Sequence, residues 1–200
     1  SAGRRHAARA EGGARRTMRI IAGRWRSRRL LAPEGDATRP TADRVRETLF
    51  SMLASRLGSF EGLAVLDLFA GSGALALEAL SRGAASALLV EPSAAASRAA
   101  EANIRALGAN ARLLRADATR LPPATAAFDL VLLDPPYGQG LVAPALASAL
   151  KGGWIAPHAS IAAETARGEA LDVSGLAVEA VRDVGKARLH LLRPSPGGLP

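Results

Sequence analysis

The sequence predicts an α/β fold, a mostly parallel sheet doubly wound with helices on both faces. Three observations carry that expectation. From residue 63 onward, short apolar runs alternate with helical patterns, as consecutive β-α units do. The first run ends in a glycine-rich turn that opens a helix. The chain closes on two alternating segments that read as an antiparallel pair rather than another β-α unit.

Each element follows in order. Residues 1–17 (SAGRRHAARAEGGARRT) lack apolar periodicity and read as a disordered basic leader, non-native if Met18 is the natural start. Residues 18–38 form a basic N-terminal arm. Within it MRIIAGRWRSRRLL reads as a short hairpin or an extended segment, with Trp25 set among Arg24, Arg26, Arg28 and Arg29. After a loop at Pro33 and Gly35, Pro40 and Thr41 precede a helix whose Val45, Leu49, Met52 and Leu53 share one face. LAVLDLFA (63–70) is a continuous apolar run, as a buried parallel strand requires. Gly71-Ser72-Gly73 then turns into a helix ending at Gly83. SALLVE (86–91) is a second strand, and Ser93 caps a helix through Leu107. Residues 111–115 give a third strand and FDLVLLD (128–134) a fourth, followed by PPYGQG and a helix to Leu150. SIAAET (160–165) is a fifth, and LAVEAVRDV and ARLHLLR form the closing antiparallel pair. Residues 39–193 thus read as one domain, and 194–200 (PSPGGLP) as a disordered tail.

Composition narrows the function. Lys+Arg number 26 against 18 Asp+Glu, a net charge of +8, which suits an anionic partner such as nucleic acid. Lys151 and Lys186 are the only lysines, so nearly all of the positive charge is arginine. With no cysteines, disulfides, zinc-thiolate sites and thiol nucleophiles are excluded. The histidines His6, His158 and His190 are isolated, and no metal is expected. No apolar run approaches the roughly 20 residues of a membrane span, and the N-terminal residues lack a secretory apolar core, so a cytoplasmic protein is expected.

The chemistry sits at strand ends. In Asp67-Leu68-Phe69-Ala70-Gly71-Ser72-Gly73, strand becomes helix at the ligand-binding edge of an open α/β sheet, where glycines let the backbone approach a ligand. Taken alone, G-x-G-x-x-A over 71–76 also fits a dinucleotide fingerprint, or a tight turn without a ligand. Asp67 shifts the balance: a carboxylate inside the strand repels a pyrophosphate but tolerates a cationic sulfonium with an amino-acid tail. Glu91 ends the second strand, 24 residues after Asp67, where a carboxylate can accept both ribose hydroxyls. Asp117 follows the third strand and reads either as an acceptor for an adenine amino group or as a capping aspartate.

Asp134-Pro135-Pro136-Tyr137 ends the fourth strand beside the same cleft. Prolines stiffen the loop and donate no hydrogen bond, leaving carbonyls, that of Pro135 above all, as acceptors beside the Asp134 carboxylate. Tyr137 offers a ring on which a base can stack. The exocyclic amine of a base is a poor nucleophile because its lone pair is delocalised. Two acceptors on its N–H groups favour a pyramidal nitrogen, which can attack a sulfonium methyl in line.

DLFAGSG, VE, ADA and DPPY together resemble class I S-adenosylmethionine-dependent methyltransferases of the amino-group type. RIIAGRWRSRRL followed by TRPTADRVRETLF is similar to the RsmD family of bacterial small-subunit (16S) ribosomal RNA guanine-N2 methyltransferases, over about Met18 to Arg193. The resemblance implies a Rossmann-like class I methyltransferase fold with seven strands, the last antiparallel, and S-adenosylmethionine as cofactor. It implies that Asp67, Phe69, Ala70, Gly71, Ser72 and Gly73 form the cofactor loop, that Glu91 holds the ribose, and that Asp117 and Ala118 hold the adenine. Arg39 and Thr41 would flank the cofactor's methionine end, and Asp134, Pro135, Pro136 and Tyr137 would form the catalytic loop. The family has an aromatic residue before the glycine of its last hairpin. Here Val184 precedes Gly185, so no base contact is implied there.

The expected substrate is ribosomal RNA within small-subunit particles, bound by a monomer. Arg24, Arg26, Arg28 and Arg29 would pair with phosphates, while Trp25 either stacks on an unpaired base or packs on the domain. The target base must leave its stack to reach Asp134. The alternatives are a DNA adenine-N6 or protein glutamine methyltransferase, an NAD-dependent oxidoreductase, and a non-catalytic RNA-binding protein on the same fold.

Overall fold

A computed structural model describes residues 18–33 and 40–197. The leader 1–17, the segment 34–39 with Arg39, and residues 198–200 lie outside the described residues, and so do the expectations that fall on them.

The chain begins with a small antiparallel hairpin, β1 (Met18–Arg19) and β2 (Arg29–Leu30), followed by helix α1 (Pro40–Leu57). Then come β3 (Ala64–Asp67), α2 (Ala74–Ser81), β4 (Ser86–Val90), α3 (Ala94–Leu107) and β5 (Ala111–Leu114). A 3-10 turn at Ala118–Arg120 leads to β6 (Phe128–Leu133), α4 (Val142–Lys151), β7 (Ile155–Ala166), β8 (Leu176–Val184) and β9 (Ala187–Pro194). Seven strands form one sheet in the order β5-β4-β3-β6-β7-β9-β8. The pairs among β3, β4, β5, β6 and β7 are parallel, and β9 runs antiparallel to both β7 and β8. Chain order reverses between β3 and β6, so a crevice opens at their C-terminal ends.

Side-chain alternation divides the core in two. Val65, Leu130, Leu132 and Ala162 face the arm, α1 and α2, whereas Leu66, Val131, Leu133 and Ala163 face α4 and Trp154. Helix α1 buries Val45, Leu49 and Leu53 on the expected face, with Phe50 beside them, while Met52 is partly exposed. The Ser93 hydroxyl caps α3 by accepting from Ala96 N–H. Strand β7 starts five residues before the expected boundary, at Ile155. Its first part pairs with Phe128 before the register shifts, which the Pro157-His158 composition conceals in the sequence.

The arm packs against the domain. Ile20 and Leu30 are buried with α1 and α2 in one core cluster. Trp25, expected to stack on a base or pack on the domain, is 9% exposed and packs, with the Arg24 guanidinium 4.0 Å from its ring centre. An indole in this position gains more from burial than from solvent exposure, and its backbone N–H is taken by the Ser81 hydroxyl at 3.0 Å. Arg24, Arg26, Arg28 and Arg29 remain exposed. Among the described residues, no helix is long and apolar enough to cross a membrane.

Candidate active site

Strand β3 pairs through Asp67, and the residues after it stay tethered to its neighbours. Leu68 N–H donates to Leu132 O on β6 at 2.9 Å, and Ala70 N–H to Val90 O on β4 at 3.1 Å. The chain then turns sharply, with Gly73 N–H donating to Ala70 O at 2.7 Å. Gly73 has φ +85°, and a Cβ there would lie 2.7 Å from the Leu89 side chain, so only glycine fits. Gly71 has φ +55° and open space on its Cβ side, leaving its backbone approachable.

Gly73 cannot cap α2 with a side chain, and Asp67 does so from a distance: its Oδ2 accepts from Ala76 N–H at 3.3 Å. Asp67 is completely buried, and its Oδ1 has no hydrogen-bond partner. Burial lifts its pKa to about 7, against the opposing pull of the Ala76 and Phe69 amides. Glu91 follows β4. Its Oε1 accepts from Gly71 N–H at 2.9 Å and its Oε2 from Ser93 N–H at 2.8 Å. Both oxygens keep a further lone pair for hydroxyl donors. Thus Glu91 fixes the glycine turn from the neighbouring strand. Phe69 is partly buried, and Ala70 and Ser72 are buried in the turn.

Asp117 follows β5 as the cap of the 3-10 turn. One oxygen accepts from the Thr119 hydroxyl at 2.7 Å and from Thr119 N–H at 2.9 Å, and these bonds hold its carboxyl below the usual range. The capping role is therefore realised, while the other oxygen meets only Arg120 at 3.4 Å. Ala118 is buried beside it.

After β6, Asp134 and Pro136 are exposed and Pro135 is buried. Tyr137 is 47% exposed, and its hydroxyl donates to the carboxylate of Glu164 on β7. Burial and that carboxylate raise the phenol's pKa above its ordinary value, so it stays a donor. A shallow cleft lies here, lined by Pro135, Pro136, Tyr137, Leu141, Glu164 and Thr165. Thr41, in the first turn of α1, approaches the same edge: its methyl lies 3.3 Å from where a Gly185 Cβ would sit. A larger groove of about 610 Å³ lies between the C-terminal half of α1 and the middle of β8, away from these strand ends. Of the two arginines that line it, Arg56 and Arg182, the first is paired with Glu179.

The structure thus sets Asp67, Glu91, Asp117 and Asp134 at the ends of four adjacent strands. Four further residues were not singled out from the sequence. Glu78, fully buried in α2, accepts from Ile21 N–H at 2.8 Å and Ala22 N–H at 3.0 Å, and pairs with Arg82 at 2.9 Å. The Ser81 hydroxyl accepts from Trp25 and donates to Ala22 O, and a Cβ on Gly23 would fall 1.9 Å from Ser81 O. Asn103 ties the arm to the glycine turn, and Glu164 holds Tyr137. An acid inside the apolar run ALALEALS, and an asparagine in register with Ala96, Ala100 and Leu107, were the available signals for two of them.

This open edge can take a nucleoside with a positively charged tail. Acceptors stand where hydroxyl donors would lie, and the buried Asp67 carboxylate sits under a turn that is approachable at Gly71. Among the described residues, no group of three or more His, Cys, Asp or Glu could hold a metal ion.

Comparison with known proteins agrees with the fold. The family described as conserved hypothetical protein 95 matches residues 18–193. "Ribosomal RNA small subunit methyltransferase D" of Escherichia coli strain K12 is 43% identical over 150 residues, 74% of each chain. The Haemophilus influenzae protein of that name is 35% identical over 160 residues, 77% of this chain and 81% of the relative. The solved structure of yhhF from Escherichia coli superposes with a TM-score of 0.77 at 34% identity, covering 90% of this chain and 98% of that one. A glycine turn and an Asp-Pro-Pro-Tyr loop flanking one switch point, on a chain matched from Met18 to Arg193, make this protein a member of the RsmD family of class I methyltransferases.

Proposed function

We propose that this chain uses S-adenosylmethionine to methylate the exocyclic N2 amine of a guanine in small-subunit 16S ribosomal RNA. The observation that carries the reading is the pairing of β3 with β6, which sets the glycine turn beside Asp134-Pro135-Pro136-Tyr137 across the switch point. The cofactor supplies an electrophilic methyl group on a sulfonium. Glu91 would accept from the ribose hydroxyls while still bracing Gly71. Asp117 and Ala118 N–H would meet the adenine edge. Asp67, Phe69, Ala70, Ser72 and Gly73 would shape the turn, with Asp67 favouring a cationic tail. Thr41, with Arg39, would flank the methionine end.

Asp134 and the Pro135 carbonyl would accept the two N–H bonds of the target amine. So held, the nitrogen lone pair would turn out of the ring system toward the cofactor's methyl group, and Asp134 or water would take the amine proton. Positioning and electrostatics supply the acceleration. Tyr137 would stack on the extruded base. Arg24, Arg26, Arg28 and Arg29 would neutralise phosphates. Trp25 has no such role, because it is buried.

Mass-spectrometric mapping of small-subunit particles incubated with the purified protein and labelled cofactor tests this reading. One methylated guanine, in RNA from cells lacking the gene, is expected. Methylation of adenine, of DNA or of a protein glutamine instead would replace it with one of the alternative amino methyltransferases. Binding of NAD but not S-adenosylhomocysteine would reject it.

A further inference from the structure

We infer that Glu164 is a specificity-determining residue that reads the ring N1–H of the target guanine; this rests on the N2-methylation reading above. Glu164 lies two residues before the C-terminal end of β7, the strand beside β6. In that parallel ladder Leu133 is opposite Ala163, so the chain enters Asp134 and Glu164 side by side, about 5 Å apart from strand to strand. Glu164 is half-buried, and the Tyr137 hydroxyl donates to its Oε1. That bond pins the carboxylate at the rim of the tyrosine ring. A base stacked on the ring therefore brings its edge to the carboxylate.

The chemistry of that edge selects the base. Guanine presents N1–H beside its 2-amine, two donors in a row. With the amine held by Asp134 and the Pro135 carbonyl, N1–H is left to a third acceptor, and Glu164 supplies it. Adenine presents a lone pair at N1, which a carboxylate repels, and cytosine likewise presents an acceptor in its ring. A site that desolvates an acceptor against an acceptor rejects the wrong base more strongly than one that merely loses contact area. Two acceptors on β6 thus activate the amine, and one on β7 identifies the ring that carries it.

The test uses small-subunit particles whose RNA carries 2-aminopurine in place of the guanine the wild-type protein methylates. 2-Aminopurine keeps the exocyclic 2-amine but has a lone pair at N1. Single-turnover rates are measured on both substrates for wild type, Glu164→Gln and Tyr137→Phe. Wild type is expected to prefer guanine by about 100-fold or more. Glu164→Gln should slow guanine methylation about 10–100-fold, the loss of one hydrogen bond to a charged group. It should also shrink the preference to a few-fold, because the amide can donate to N1. Tyr137→Phe keeps the carboxylate but frees it from the ring rim, and should lower the preference less than Glu164→Gln does. An equal slowing of both substrates by Glu164→Gln would overturn the inference, leaving Glu164 as a support for Tyr137 alone. So would a preference that Tyr137→Phe abolishes and Glu164→Gln keeps. Unchanged S-adenosylhomocysteine affinity in Glu164→Gln reports an intact fold. Absence of guanine methylation by wild type would instead reject the underlying reading.

Discussion

The side-chain amide of Asn103 donates to the backbone carbonyl of Ser72 at 2.9 Å, and the same nitrogen donates to Leu31 O at 2.9 Å. Its oxygen accepts from Leu31 N–H at 2.8 Å. One buried residue of α3 therefore joins the end of the arm to the turn proposed to hold the cofactor. Asn103→Ala strands the Leu31 and Ser72 groups, which should cost about 1–3 kcal/mol of stability. S-Adenosylhomocysteine should bind several-fold more weakly at a temperature where the variant is folded. Urea titration and calorimetry measure the two effects. An unchanged Kd would show that Glu91 and the Gly73 turn hold the loop without Asn103.

Glu91 and Asp134 should separate binding from chemistry. Glu91→Ala removes the proposed ribose acceptor and the brace on Gly71, and should weaken S-adenosylhomocysteine binding by about 1–3 kcal/mol. Asp134→Ala should leave that affinity nearly intact while slowing single-turnover methylation about 10²–10³-fold, as loss of one preorganised partner does. Near-wild-type turnover in Asp134→Ala would show that this carboxylate does not activate the amine.

The exposed arginines are best tested by charge rather than by deletion. Removing residues 18–29 would strip Ile20 and Trp25 from the core and leave Glu78 buried without its backbone partners. Changing Arg24, Arg26 and Arg29 to Gln keeps the hairpin bonded to α2. Each lost phosphate contact should lower the slope of log affinity against log salt by about 0.7–0.9. S-Adenosylhomocysteine affinity should stay the same. An unaltered salt slope would place the RNA surface elsewhere on the molecule.

Asp67 predicts a pH dependence. Its folded pKa of about 7 lies above the ordinary aspartate value of about 3.9, so between these values the native state holds the extra proton. The contribution of Asp67 to stability therefore falls as pH rises from about 4 to about 7, by at most roughly 4 kcal/mol, and the full loss is present above that window. Asp67→Asn keeps an acceptor for Ala76 N–H without the charge. Relative to wild type, the variant should gain stability across that window, measured by urea midpoints from pH 4 to pH 8. Parallel pH curves for the two proteins would show that the carboxylate is solvated in solution.

Much of the fold was legible because parallel strands must be apolar on both faces, and runs such as AVLD and FDLVLL admit few other readings. Strand ends that carry acids were legible for the same reason: Asp67, Glu91 and Asp134 stand out where apolar runs stop. The first half of β7 was not, because its pairing with Phe128 overrides a composition that favours a loop.

By itself, the sequence determined the alternation of strands and helices, the glycine turn, the Asp-Pro-Pro-Tyr loop and the excess of arginine, all local properties of a few adjacent residues. Only the tertiary structure decided that Trp25 is buried, that Glu78 and Asn103 anchor the arm, and that Glu164 reaches Tyr137. These contacts join residues 27 to 72 positions apart, and a polar side chain in an apolar pattern announces that it needs a partner without saying which one. The partner is fixed by strand order and helix packing, which bring distant backbone groups within reach of a side chain that would otherwise be costly to bury.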